Sequence, residues 1–320
     1  MRPVRNSLSL LRPVADAFNT AVVQCVQDAD PESVHRLRTG SRRLQAMLEV
    51  TLREDGPAVN ALDKPARAWL RQLKRVRGAA GAVRDLDVQC KLLEKWTKKR
   101  VEISDVRNET SRDPGRFEAQ VVVLDRWLKD ERRHLTHTMR KQIKKRQPRL
   151  AERQAALFRS ISDSSLIVVR TPRPADAVAL EDFVRAVDTM PLLDAANLHD
   201  FRKATKKARY VAEAGAEGQT LSSVAKALKQ VQDAIGEWHD WQCLAEDARV
   251  GLGQPAPELA AALKLEVERH FAAAMKTTQT MRGQLTGEWM ANRVHEAPAK
   301  RPPVATALGN RGLEAVKRPA

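Results

Sequence analysis

Apolar residues recur three and four apart along most of this chain, a period that gathers them on one side of a helix. In "VHRLRTGSRRLQAMLEV", residues 34–50, Val34, Leu37, Ser41, Leu44 and Leu48 form one stripe. In "LHDFRKATKKARYVAEA", residues 198–214, the stripe is Leu198, Phe201, Thr205, Ala208 and Ala212. The same period predicts helices at about 6–29, 31–53, 58–77 and 83–104, and a long one at about 117–160 that Pro148 is expected to kink. Asp30-Pro31-Glu32 carries the signals of a helix start: a capping carboxylate, a proline for the first turn and an acid at the positive end of the dipole. Gly78 and Gly81 should break or kink the chain between the third and fourth helices, and 104–116 reads as a polar loop. The stretch 162–177 is the midpoint connection. The basic, Pro- and Ala-rich segment 293–320 lacks a long apolar period and is expected to be a disordered tail.

The pattern occurs twice. A shift of 164 residues lays His35 on His199, Arg38 on Arg202, Arg42 on Lys206, Arg43 on Lys207 and Glu49 on Glu213. A shift of 155 lays Leu73 on Leu228, Lys74 on Lys229, Val76 on Val231, Gly81 on Gly236 and Asp85 on Asp240. A shift of 136 lays Arg133 on Arg269, His134 on His270 and Met139 on Met275. The falling offset means shorter connections in the second copy. The economical fold is all-α: two pseudo-symmetric four-helix bundles, a first half over 5–160 and a second over 165–292, in one domain spanning 1–292.

Charge changes the picture next. Lys and Arg number 56 against 40 acids, a net charge of +16, which points to a polyanionic partner: nucleic acid, an anionic membrane surface or a phosphate polymer. Three dispersed cysteines, Cys25, Cys90 and Cys243, make neither a disulfide framework nor a zinc pattern. No apolar run is long enough to span a membrane, and Arg12 and Asp16 interrupt the first apolar stretch too early for a signal peptide. A soluble cytoplasmic protein without membrane insertion is the expectation.

The cations are not placed as a solubilising face would place them. At 100° per residue, His35, Arg38, Arg42 and Gln45 fall in one stripe beside the apolar seam, and His199, Arg202, Lys206 and Arg209 repeat it. A solvated face would lie opposite the seam. Arg71 and Lys74 flank the apolar stripe of the third helix, Lys226 and Lys229 match them, and Arg133 and Arg140 stand a heptad apart on the long helix. Cations on several helices of both halves would converge on a groove between the bundles, where crowding makes a multivalent anion welcome. Arg43 and Lys207 point to the other flank but belong to the same motif. Arg84-Asp85 and His239-Asp240 read as helix starts whose acids cap or pair with arginine. His35 and His199 have three roles open to them: core-edge histidines, metal ligands or phosphate donors. Neighbouring arginines disfavour a metal. Glu131-x-x-His134 mimics one arm of a carboxylate metal site, but Val267 replaces the Glu in the repeat, so no metal or other cofactor is expected.

The segment His35-x-x-Arg38-x-x-x-Arg42-Arg43, followed by Gly81-Ala82-Val83-Arg84-Asp85-Leu86-Asp87-Val88, resembles the CHAD family, the conserved histidine alpha-helical domains. The second half repeats it in His199, Arg202, Lys206, Lys207 and "GEWHDWQ" at 236–242. Gln45, His239 and Gln242 depart from the family's preferences. The resemblance implies two four-helix bundles around a basic cavity that binds inorganic polyphosphate, in some members on polyphosphate granules. The expected function is therefore non-catalytic polyphosphate binding by His35, Arg38, Arg42, Arg43, Arg71, Lys74, Arg133, Arg140, His199, Arg202, Lys206, Lys207, Arg209, Lys226 and Lys229. Sequence-independent nucleic-acid binding is the alternative, although no RNA- or DNA-binding signature or aromatic platform for bases stands in the sequence. An enzyme acting on phosphoanhydrides is disfavoured by the lack of a P-loop or an acidic metal cluster within the basic faces.

Overall fold

A computed structural model describes residues 11–52, 57–107, 114–163, 174–214, 221–253 and 256–296. Every element among them is a helix: α1 (Leu11–Gln27), α2 (Pro31–Thr51), α3 (Pro57–Ala79), α4 (Gly81–Arg107), α5 (Pro114–Asp163), α6 (Ala175–Thr189), α7 (Leu198–Ala214), α8 (Ser223–Gly251) and α9 (Pro257–Glu296). Asp30 caps α2 as its sequence suggests, its Oδ1 accepting from the backbone N–H of Glu32 at 2.8 Å and Ser33 at 3.0 Å. Ser222 does the same for α8 through the N–H of Ala225.

Two boundaries differ from the sequence expectation. α4 continues to Arg107 and α5 begins at Pro114, so helix claims both flanks of the expected loop, whose centre, 108–113, lies outside the described residues. α5 is the one long helix expected, with Pro148 in its interior. α9 extends to Glu296, and the rest of the expected tail, 297–320, lies outside the described residues, as does 164–173 of the midpoint connection. The turn at Ala80 separates α3 from α4, as Gly78 and Gly81 suggested, yet α8 crosses the repeat-related position, Ile235, without a break.

The buried apolar side chains fall into three groups. α1, α2, α3 and the later part of α5 enclose Phe18, Leu37, Leu44, Trp69, Leu73 and Ile143. α6, α7, the start of α8 and the later part of α9 enclose Phe183, Phe201, Leu228, Val231, Trp238 and Leu285. The third group is shared between the halves. It takes Leu93 and Trp96 from α4, Leu128 from α5, Trp241 and Leu244 from α8 and Leu263 from α9. Here Trp96 and Trp241 meet edge to face with ring centroids 5.7 Å apart, and Trp96 Nε1 donates to Glu266 at 3.0 Å. Earlier on α4 the buried Asp87 carboxylate accepts a 2.5 Å hydrogen bond from Arg132 Nε, while Arg132 Nη2 donates to the Ala29 carbonyl. That buried pair ties α4 and α5 to the α1–α2 connection.

The shared group holds the two halves in register, so it should carry a large part of the stability. Trp241→Ala is expected to cost about 3–5 kcal/mol, read as a lower midpoint in urea unfolding followed by circular dichroism.

Candidate basic site between α2 and α7

Helical geometry builds the site from two adjacent stripes. The predicted seams, Val34, Leu37, Ser41, Leu44 and Leu48 on α2 and Leu198, Phe201, Thr205, Ala208 and Ala212 on α7, are all buried. The neighbouring residues, His35, Arg38, Arg42 and Gln45 with His199, Arg202, Lys206 and Arg209, are all half-buried. α2 packs directly on α7. The two basic stripes therefore meet instead of facing solvent on separate sides. Arg42 Nη1 crosses from the first half to the second and donates to the Tyr210 hydroxyl at 3.2 Å. Lys207 crosses the other way to Glu49 at 3.5 Å.

Each half seats one arginine against a glycine. A Cβ at Gly81 would stand 3.2 Å from Arg38 Nη1, and one at Gly236 would stand 2.8 Å from Arg202 Nη2. The guanidinium lies where a side chain would otherwise project, which explains glycine at both repeat-related positions, the first residue of α4 and the interior of α8. One turn further along stand Asp85 and Asp240. Arg38 Nη2 is 3.9 Å from Asp85 Oδ1, and Arg38 Nη1 also reaches the Arg77 carbonyl at 3.5 Å. His239 and Asp240 lie in the middle of α8, not at a helix start. The sequence misplaced them because it expected a break there like the one before α4.

The electrostatics show how closely the cations gather. Burial pushes the Lys206 ammonium down to about 6, helped by Arg42, Arg202, Arg38 and Arg209. Burial also lowers Arg77, with Arg42 and Arg38 adding to it. Arg38 and Arg202 are lowered by burial too, against the opposing pull of Asp85 and Asp240 respectively. Arginine nevertheless stays charged, so Lys206 is the member of the group that yields its proton. The histidines follow: burial and then Arg84 depress His35, while burial and then His239 bring His199 down to about 4. The rings of His199 and His239 lie 4.0 Å apart, centroid to centroid. Buried Arg77 Nη1, Arg202 Nε and His199 Nδ1 have no hydrogen-bond partner within the protein.

The remaining expected site residues have other surroundings. Arg43, Arg71, Lys74 and Lys226 are exposed. Lys229 pairs with Asp233 at 2.6 Å, and Arg133 pairs with Asp130. Arg140 donates to the carbonyls of Val26 and Gln27, both at 2.8 Å, and so closes the C-terminal end of α1. Two contributors escaped the sequence reading. Arg77 matches Gln232 in the repeat, so it is not among the duplicated cations. Tyr210 is the one tyrosine in the sequence, and its ring lies 4.7 Å beneath the Arg209 guanidinium. An aromatic ring beside a basic stripe was the available signal.

A concavity of about 940 Å³ lies between α8 and α9 and adjoins the cluster at His239. Its wall combines apolar Ala248, Leu252, Leu263 and Val267 with the charged Glu246, Arg249 and Lys264. Among the described residues no group of three or more His, Cys, Asp or Glu side chains is placed to hold a metal ion, and no helix is long and apolar enough to cross a membrane.

Comparison with known proteins fits this arrangement. No curated protein shows significant similarity to the chain. Among solved structures, the crystal structure of the CHAD domain from the plant Ricinus communis superposes with a TM-score of 0.57 at 19% identity, covering 86% of this chain and 89% of that one. At that identity the likeness speaks for the fold. The family model of the CHAD domain matches residues 9–249, a segment that includes α2, α7 and every residue of the basic cluster, and the chain belongs to the CHAD domain family.

Proposed function

We propose that the protein binds inorganic polyphosphate, without turning it over, along the basic cluster where α2 meets α7, with polyphosphate granules as its cellular setting. One observation carries the reading. Lys206 sits half-buried among Arg38, Arg42, Arg202 and Arg209, cations drawn from both halves. Burial and the like charges around it together disfavour its proton, so an added anion is favoured there. A chain of phosphates relieves that repulsion at several residues at once. Arginine forks suit phosphate oxygens, and a polymer of identical units needs no base reading. Family membership supports the same ligand class. His35, Arg38, Arg42, Arg77, His199, Arg202, Lys206 and Arg209 are the proposed contacts, with exposed Arg71, Lys74 and Lys226 extending the path.

Replacing His35, Arg38, His199 and Arg202 together by alanine should weaken binding of long polyphosphate by on the order of a hundredfold with the helical signal intact. The slope of log affinity against log salt should shrink by roughly 1.5, each lost phosphate contact releasing fewer counterions. Long polyphosphate should also displace an oligonucleotide, and not the reverse. Unchanged binding by the variant, or preferred binding of nucleic acid, would overturn the reading.

The glycine seats separate binding from folding. Gly236→Ala should displace the Arg202 guanidinium and weaken polyphosphate binding several-fold. The melting temperature should hold or rise, since alanine is the better helix former by about 1 kcal/mol. Calorimetric titration and thermal melts on the same sample test both halves of that statement.

Binding should also take up protons. With its amine at about 6 in the free protein, Lys206 is mostly neutral at pH 8. A bound polyanion returns it toward the ordinary value of 10.5, so nearly one proton enters at that residue. The uptake fades below about pH 6, where the amine is already charged, and affinity tightens as pH falls from 10 to 6. Titrations in buffers of different ionisation enthalpy measure the count.

A further inference from the structure

We propose that Asp85 and Asp240 set the affinity threshold of this site: as resident counter-anions of Arg38 and Arg202, they hold ligands of low charge below useful affinity, so that the cluster responds to phosphate polymers and not to orthophosphate. The inference rests on the polyphosphate reading and deepens it.

The two acids occupy repeat-related positions, each one helical turn beyond the glycine that seats an arginine. In the first half the carboxylate is 3.9 Å from Arg38. In the second, Asp240 is the strongest opposing charge felt by Arg202. α4 packs on α8, which brings the two acids near enough to repel each other. Asp240 is half-buried. The charged groups acting on it are Arg202 and Lys206 from α7 and Arg84 and Asp85 from α4, with His239 and Cys243 close on its own helix. Burial first, and Asp85 after it, push its carboxyl up to about 6.

A carboxylate fixed to a helix cannot leave when phosphate arrives. Any incoming anion therefore gains the arginine and at the same time meets a resident negative charge. For orthophosphate, with one or two charges and one point of attachment, the gain and the repulsion nearly cancel. A polymer meets the same repulsion once but adds contacts at Arg42, Arg77, Lys206 and Arg209, and linked contacts multiply. The acids thus set a threshold in charge and length. An alternative role, holding the arginines in their seats, makes the opposite prediction for affinity.

The test uses Asp240→Asn and the double variant Asp85→Asn/Asp240→Asn, with Asp85→Asn alone as a variant at an exposed position that folding tolerates. Orthophosphate, triphosphate and a long polyphosphate are titrated against each by calorimetry. Triphosphate affinity should rise on the order of tenfold in the double variant, and long-chain affinity should rise by no more than that. The tightening of triphosphate binding between pH 7 and 5, to which protonation of Asp240 contributes in the wild type, should be smaller in Asp240→Asn. Weaker binding of every ligand would assign the acids to holding the arginines and overturn the inference. So would triphosphate affinity unchanged beside normal long-chain binding. A wild-type protein that binds no polyphosphate would instead remove the underlying function, and the inference with it.

Discussion

The site follows from one geometrical constraint: on α2 and α7 the residues that bury and the residues that carry charge are immediate neighbours around the helix. Leu37 cannot enter the core without carrying Arg38 to its edge, and Phe201 does the same to Arg202. Packing α2 on α7 then brings both edges together. Hydrophobic burial supplies the force that assembles the cations, because no favourable interaction among them would do so. Part of the folding free energy is thereby held as mutual repulsion among the gathered cations. Burial, the strongest influence on Lys206, is thus both what makes the protein fold and what makes that amine give up its proton.

Much of this was legible in the sequence because it depends on position within a helix. The seam of α2, the half-buried stripe beside it and their counterparts on α7 follow from the 3.6-residue period. The Asp30 cap and the turn before α4 follow from local chemistry. What depends on how one helix crosses another was not legible. Arg77 reaches the cluster only because α3 ends beside α2, and Tyr210 matters only because Arg42 crosses to it. Arg140 looked like a ligand by spacing, but the place where α5 passes α1 engages it with two backbone carbonyls. The shared apolar group around Trp96 and Trp241 was likewise hidden, since its residues come from four helices in both halves.

The two halves also differ in informative ways. The second has Arg209 paired with Glu213 at 3.3 Å where the first has Gln45 bonded to Glu49 at 2.8 Å. The second has His239 where the first has Arg84, and Gln232 where the first has Arg77. Gln232 is turned inward, donating to Thr205 Oγ1 and the Arg202 carbonyl. Of the two arginines that the second half lacks, Arg209 makes up for one, so the cluster is cationic without being symmetric.

The continuity of α8 has a mechanical consequence. Gln232, Gly236 and Asp240 ride on one unbroken beam that reaches from the second half's own apolar group into the shared one. Their counterparts Arg77, Gly81 and Asp85 are divided by the turn at Ala80, so one is mounted on α3 and two on α4. The two sides of the cluster accordingly differ in build: one is a continuous girder, and the other has a joint at Ala80.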